Sequence, residues 1–82
     1  MVSVTVKAFG PLKDLLQNDE LRIEVPPPYT GEAAFGVLVA RHPPLEQWKT
    51  SVRLAVNLEY TSFGHILKSG DEISFIPPVS GG

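Results

Sequence analysis

Cysteine is absent from the 82-residue chain, which excludes disulfides, thiolate metal sites and a thiol nucleophile. Histidine is scarce: His42 and His65 are the only imidazoles, and with no cysteine beside them they make a poor metal set. An excess of positive charge is also missing. Seven basic residues against nine acidic ones give a formal net charge of −2, which argues against a nucleic-acid binder held by phosphate contacts. No apolar run approaches the roughly 20 residues of a membrane span. The N-terminal Met1-Val2-Ser3-Val4-Thr5-Val6 alternates, unlike a signal peptide. Gly31 and Gly36 lack the spacing of a phosphate-binding loop. There is no repeat, no low-complexity tract, and no acid, base and nucleophile set for an independent enzyme. What these absences leave is a single soluble domain with one small core, expected in the cytoplasm.

What is present is periodicity. Val2, Val4 and Val6 alternate with Ser3, Thr5 and Lys7, the pattern of a strand with one buried face. Gly10-Pro11 breaks that strand and opens a short helix carrying Leu12, Leu15 and Leu16, followed by turn chemistry at Gln17-Asn18-Asp19. Leu21, Ile23 and Val25 predict a second strand, antiparallel to the first and ended by Pro26-Pro27-Pro28. Thr30 is placed to cap a helix over Gly31–Arg41, with Glu32 near its positive end. Phe35, Leu38, Val39 and His42 predict the buried face of this helix, and Gly36 weakens it. A connector over Leu45–Ser51 leads to a third strand on Val52, Leu54 and Val56. A short edge strand at Glu59-Tyr60-Thr61, a turn at Ser69-Gly70-Asp71 and a last strand on Ile73 and Phe75 complete the order. Such an order predicts an α+β, β-grasp domain over residues 1–76, a mixed sheet of four to five strands with one main helix on one face. First and last strands are then parallel central neighbours.

The parity leaves an anomaly. If Val4, Val6, Ile73 and Phe75 point inward, Phe9 and Ile76 fall on the opposite, otherwise polar face, side by side where the chain leaves the sheet. Tyr60 extends the same patch. Two readings stand: an apolar partner site with aromatic anchors, or side chains folded over the edge of the core. After Ile76 comes Pro77-Pro78-Val79-Ser80-Gly81-Gly82. The two prolines hold an extended backbone and remove two donors, so residues 77–82 read as a tail reaching at most about 20 Å. Gly81 and Gly82 carry no side chain, which lets the last acyl group enter a narrow channel. A terminal carboxylate is a poor electrophile and needs activation by another protein. Other signals are weaker. His42 suits a helix end, His65 a solvated loop, Trp48 the rim of the core, and Asp71-Glu72 a turn.

Four segments carry a family resemblance. Gly70–Gly82, ending Pro-Pro-Val-Ser-Gly-Gly, resembles the C-terminus of the small subunit of molybdopterin synthase. Ala55-Val56-Asn57-Leu58-Glu59-Tyr60 is similar to that family's Ala-Val-Asn-x-Glu-Tyr, Arg41-His42-Pro43 to its helix-ending segment, and Phe9–Leu15 to its Phe-Ala-x-x-Arg-Glu-Leu. Gly10-Pro11, Lys13 and Asp14 depart from that last pattern, and Lys13 lacks the planar fork of an arginine. The resemblance implies a ubiquitin-like sulfur carrier with no cofactor bound and no metal. An activating enzyme of the ubiquitin-activating type uses ATP to adenylate Gly82, a persulfide donor converts it to a thiocarboxylate, and Gly81 gives clearance. The large synthase subunit then receives the tail, and sulfur passes to a cyclic pyranopterin precursor. Phe9, Tyr60, Ile76, Pro77, Pro78 and Val79 are the implied partner-binding residues, and two large subunits form the centre of the implied heterotetramer. Sulfur carriage for thiazole synthesis or transfer-RNA thiolation is the neighbouring alternative. A noncovalent ubiquitin-like docking module with a silent tail is the alternative of a different class.

Overall fold

The computed structural model describes residues 1–77. Its elements are β1 (Val2–Ala8), α1 (Gly10–Leu16), β2 (Glu20–Val25), α2 (Gly31–Arg41), a 3-10 helix (Pro43–Trp48), β3 (Arg53–Val56), β4 (Glu59–Thr61) and β5 (Glu72–Ile76). The five strands form one sheet in the order β2-β1-β5-β3-β4. β1 runs parallel to β5, and the β1–β2, β3–β5 and β3–β4 pairs are antiparallel. This is the β-grasp arrangement that the element order predicts. No helix among the described residues is long and apolar enough to cross a membrane.

The inward row follows from strand parity. Val6 pairs with Leu21 and Ile73, and Ile73 pairs with Val56. One step along, Ala8, Phe75 and Leu54 form the next row. α2 lies over these rows and brings Phe35 edge-on to Phe75, with ring centroids 5.1 Å apart. Phe63, from the loop after β4, stacks on Phe75 at 6.0 Å and meets Phe35 edge-on at 6.2 Å. Each such aromatic contact adds about 0.5–1.5 kcal/mol beyond the area it buries.

The Thr30 hydroxyl accepts a hydrogen bond from the Ala33 N–H, and α2 begins at Gly31 as its cap predicts. The His42 N–H closes the last turn on the Leu38 carbonyl, and Pro43 diverts the chain into the 3-10 helix. The buried stripe of α2 is Gly31, Ala34, Phe35 and Leu38. The face expected on Phe35, Leu38, Val39 and His42 is therefore rotated: Val39 and His42 are only half-buried. Gly31 and Ala34 take their place because α2 approaches β3 so closely that a Cβ at Gly31 would collide with the Leu54 side chain. Leu45 and a partly buried Trp48 close the end of the core beneath α1 and α2.

Candidate docking face and tail exit

α2 covers one face of the sheet, and among the described residues the other carries no helix. Its central row runs Glu20, Lys7, Ser74, Ala55, Tyr60 across all five strands. Ser74 and Ala55 are each only 8% exposed although they face outward. They are small residues between longer ones, and so make the floor of a shallow trough. Lys7 stands on one wall, where its Nζ lies 2.8 Å from Glu20 and 4.0 Å from Glu72. Those carboxylates, Glu20 first, hold its pKa above the ordinary lysine value.

The next row toward the end of β5 holds the predicted rim. Ile76 pairs with Arg53, and Phe9 follows directly on the Ala8–Phe75 pair. Phe9 is 49% exposed and Tyr60 67% exposed, while Ile76 is half-buried. Phe9 caps α1 in an extended conformation, and Gly10 then takes φ +56, in the left-handed region that favours glycine. That turn seats Gly10 against Pro77, whose Cγ lies 3.7 Å from the position of a Gly10 Cβ. The departure of Gly10-Pro11 from the family pattern thus has a local geometric reason.

Sequence reasoning did not single out Arg53. Its guanidinium carbon lies 5.9 Å from the centre of the Tyr60 ring, within cation–π range. Together with Ile76, Pro77, Val52 and Ser51, these two residues line an open groove beside the tail exit. A second groove, on the Phe9 side, is lined by Lys7, Lys13, Asp19 and Glu20. Pro77 therefore leaves the sheet between an aromatic-and-lysine side and an aromatic-and-arginine side. Pro78, Val79, Gly81 and Gly82 lie outside the described residues.

Asn57, which falls in the Ala-Val-Asn-x-Glu-Tyr segment of the family resemblance, has a role that the segment alone does not give. Its side chain donates to the Asp71 carboxylate and accepts from the Glu72 N–H, both at 3.0 Å, and its own N–H donates to the Glu72 carbonyl at 2.7 Å. These bonds tie the β3–β4 turn to the start of β5, the strand that delivers the tail. Asp71 also accepts from the Lys68 N–H, so it serves a turn as predicted. His65 is exposed with Nδ1 3.4 Å from the Thr61 hydroxyl, and no group of three metal-ligating side chains occurs among the described residues.

The family model of the ThiS family matches residues 6–82, nearly the whole chain. The chain belongs to the ThiS family. Among relatives of this ThiS-family chain, the molybdopterin synthase sulfur carrier subunit of Arabidopsis thaliana is 35% identical over 81 residues, covering 99% of this chain and 84% of the relative. The crystal structure of small archaeal modifier protein 1 from Haloferax volcanii superposes with a TM-score of 0.84 at 30% identity, covering 98% of this chain and 99% of that one. A chain from the complex of subunits 1 and 2 of the molybdopterin-converting factor of Helicobacter pylori superposes with a TM-score of 0.69 at 27% identity, covering 99% and 100%. The ubiquitin-like fold that the sequence resemblance implies is the fold of these ThiS-family neighbours.

Proposed function

We propose that the chain is a sulfur carrier, the small subunit of a cytoplasmic molybdopterin synthase, that works through the acyl group of Gly82. One observation carries this reading: the outward-facing Phe9, Ile76 and Tyr60 lie on the open face near Pro77, where β5 ends. A partner seated on Phe9, Ile76 and Tyr60 has the tail directed into it, and residues 77–82 span at most about 20 Å when extended. Pro77, Pro78 and Val79 form the neck of that tail, and Gly81 lets the backbone pass a narrow entrance.

The chemistry belongs to the partners. The Gly82 carboxylate attacks the α-phosphate of ATP on an adenylyltransferase of the ubiquitin-activating type, and pyrophosphate leaves. A persulfide donor then attacks the acyl carbon and AMP departs. A second thiol of the donor attacks the donor's own sulfur in the resulting acyl disulfide, forming a disulfide on the donor and releasing the thiocarboxylate. In the large synthase subunit that sulfur passes to a cyclic pyranopterin precursor. The carrier itself contributes position, reach and a docking surface. Likeness to a sulfur carrier subunit and to a subunit of a two-subunit converting factor supports this assignment.

A second reading draws on the likeness to a modifier protein. The same activated acyl group accepts an amine as readily as a sulfur nucleophile, which would join the chain to other proteins. Carriage to thiazole synthesis or transfer-RNA thiolation shares the activation step and differs only in the acceptor. Docking separates the readings. Phe9→Asp and Ile76→Asp are expected to weaken binding to the large synthase subunit by about tenfold to a hundredfold, with melting temperature preserved. Wild-type affinity in both variants, measured by calorimetry, would refute the rim. Removing Gly82 is expected to leave docking intact and abolish sulfur transfer, whereas a noncovalent module would be indifferent to its loss.

A further inference from the structure

Arg53 stands between Ile76 and Tyr60 and has no acidic partner among the described residues. Both ion pairs among the described residues belong to Lys7, and neither involves Arg53. Yet Arg53 is not loosely placed: Ile76 is its cross-strand neighbour and the Tyr60 ring lies under its guanidinium. Strand pairing and the ring together fix a planar, five-donor fork on the open face, in the groove that Pro77 also lines.

A cation in that position makes a demand on whatever docks there. A partner that packs apolar side chains on Phe9, Ile76 and Tyr60 also strips water from Arg53. Removing water from a charge that gains no partner opposes binding. The docking surface must therefore supply an acceptor, and a carboxylate matches the guanidinium fork in shape and charge. An apolar surface of equal shape would be rejected, which turns Arg53 into a selectivity device.

We propose that Arg53, held over Tyr60, selects the partner protein by pairing with a carboxylate side chain set among apolar residues of the partner's docking surface. This rests on the reading of the rim as the docking face for the large synthase subunit. Lys7 does not compete for that carboxylate, because Glu20 and Glu72 already neutralise it.

The test measures affinity for the purified large subunit of the same organism's molybdopterin synthase at low and high ionic strength. It compares wild type, Arg53→Lys and Arg53→Gln, with thermal melting as the folding control. Loss of one member of a desolvated charge pair predicts about 30-fold weaker binding for Arg53→Gln, with a flatter salt dependence than wild type. Arg53→Lys, which keeps the charge and loses the fork, should fall between them. Wild-type affinity in Arg53→Gln overturns the proposal while leaving the rim reading intact. Weaker binding with an unchanged salt dependence assigns Arg53 to neutral carbonyl groups and overturns the carboxylate. If the wild type does not bind at all, the docking reading fails, and this one fails with it.

Discussion

Gly31 and Gly36 occupy the same helix under opposite constraints. A methyl group at Gly31 would collide with the buried Leu54 side chain and press on the Phe63 carbonyl oxygen at 3.3 Å. Leu54 is 1% exposed and has no room to yield. Gly31→Ala is therefore expected to destabilise the domain by about 1–3 kcal/mol. At Gly36 a methyl group meets nothing within 4 Å. Gly36→Ala should stabilise by about 0.5–1 kcal/mol through helix propensity alone. Urea unfolding of the two variants decides both signs; equal shifts would mean that α2 does not lie against β3 as described. Leu58 is a third special residue. It takes φ 72 beside Asn57 at φ 50, a two-residue turn of the type that prefers glycine, and it is 89% exposed. Leu58→Gly is expected to raise stability by about 1 kcal/mol, because it relieves the left-handed strain without losing a packed side chain. Unchanged or lower stability would mean that Leu58 packs against something.

Among the elements, the β1–β2–β5 ladder carries a lysine, Lys7, whose titration bears on stability. The folded pKa of Lys7 is raised, so its ion pairs are present below the ordinary lysine range and are lost as pH climbs through the raised value. Lys7→Met is thus expected to lower the melting temperature slightly at neutral pH and low salt. The difference from wild type should vanish in strongly alkaline solution. A difference that persists there would trace to packing instead of charge. Strand parity made most of this ladder legible, because Val4, Val6, Ile23, Val25, Ile73 and Phe75 repeat at the period of a pleat. The buried stripe of α2 was only half legible. Gly31 and Ala34 carry little hydrophobic signal, and they are buried because of what α2 packs against. The contacts of Arg53 and Asn57 are not legible in the sequence for a related reason. Their roles arise from register with Ile76 and Glu72, far along the chain, and no local pattern encodes a register. The rim at Phe9, Ile76 and Tyr60 was readable because an apolar residue at a polar parity is a local exception.

For the whole molecule, the decisive arrangement is that β5 runs through the middle of the sheet and ends at the open rim. A central strand is held on both sides, so the neck at Pro77 leaves from a rigid base. Gly10 on one flank and the Arg53–Tyr60 pair on the other define where it leaves. On the proposed reading, the domain supplies an anchored origin for the tail and a docking surface beside it. On this account the reacting atoms are its last carbonyl group and a partner's nucleophile. The most direct measurement is the intact mass of the protein after incubation with ATP, its cognate adenylyltransferase and a persulfide donor. Replacement of one oxygen by sulfur, about 16 Da, is expected on the C-terminal peptide and is expected to disappear in a variant lacking Gly82. An unchanged mass with a competent activating enzyme, or a sulfur found elsewhere in the chain, would contradict the account.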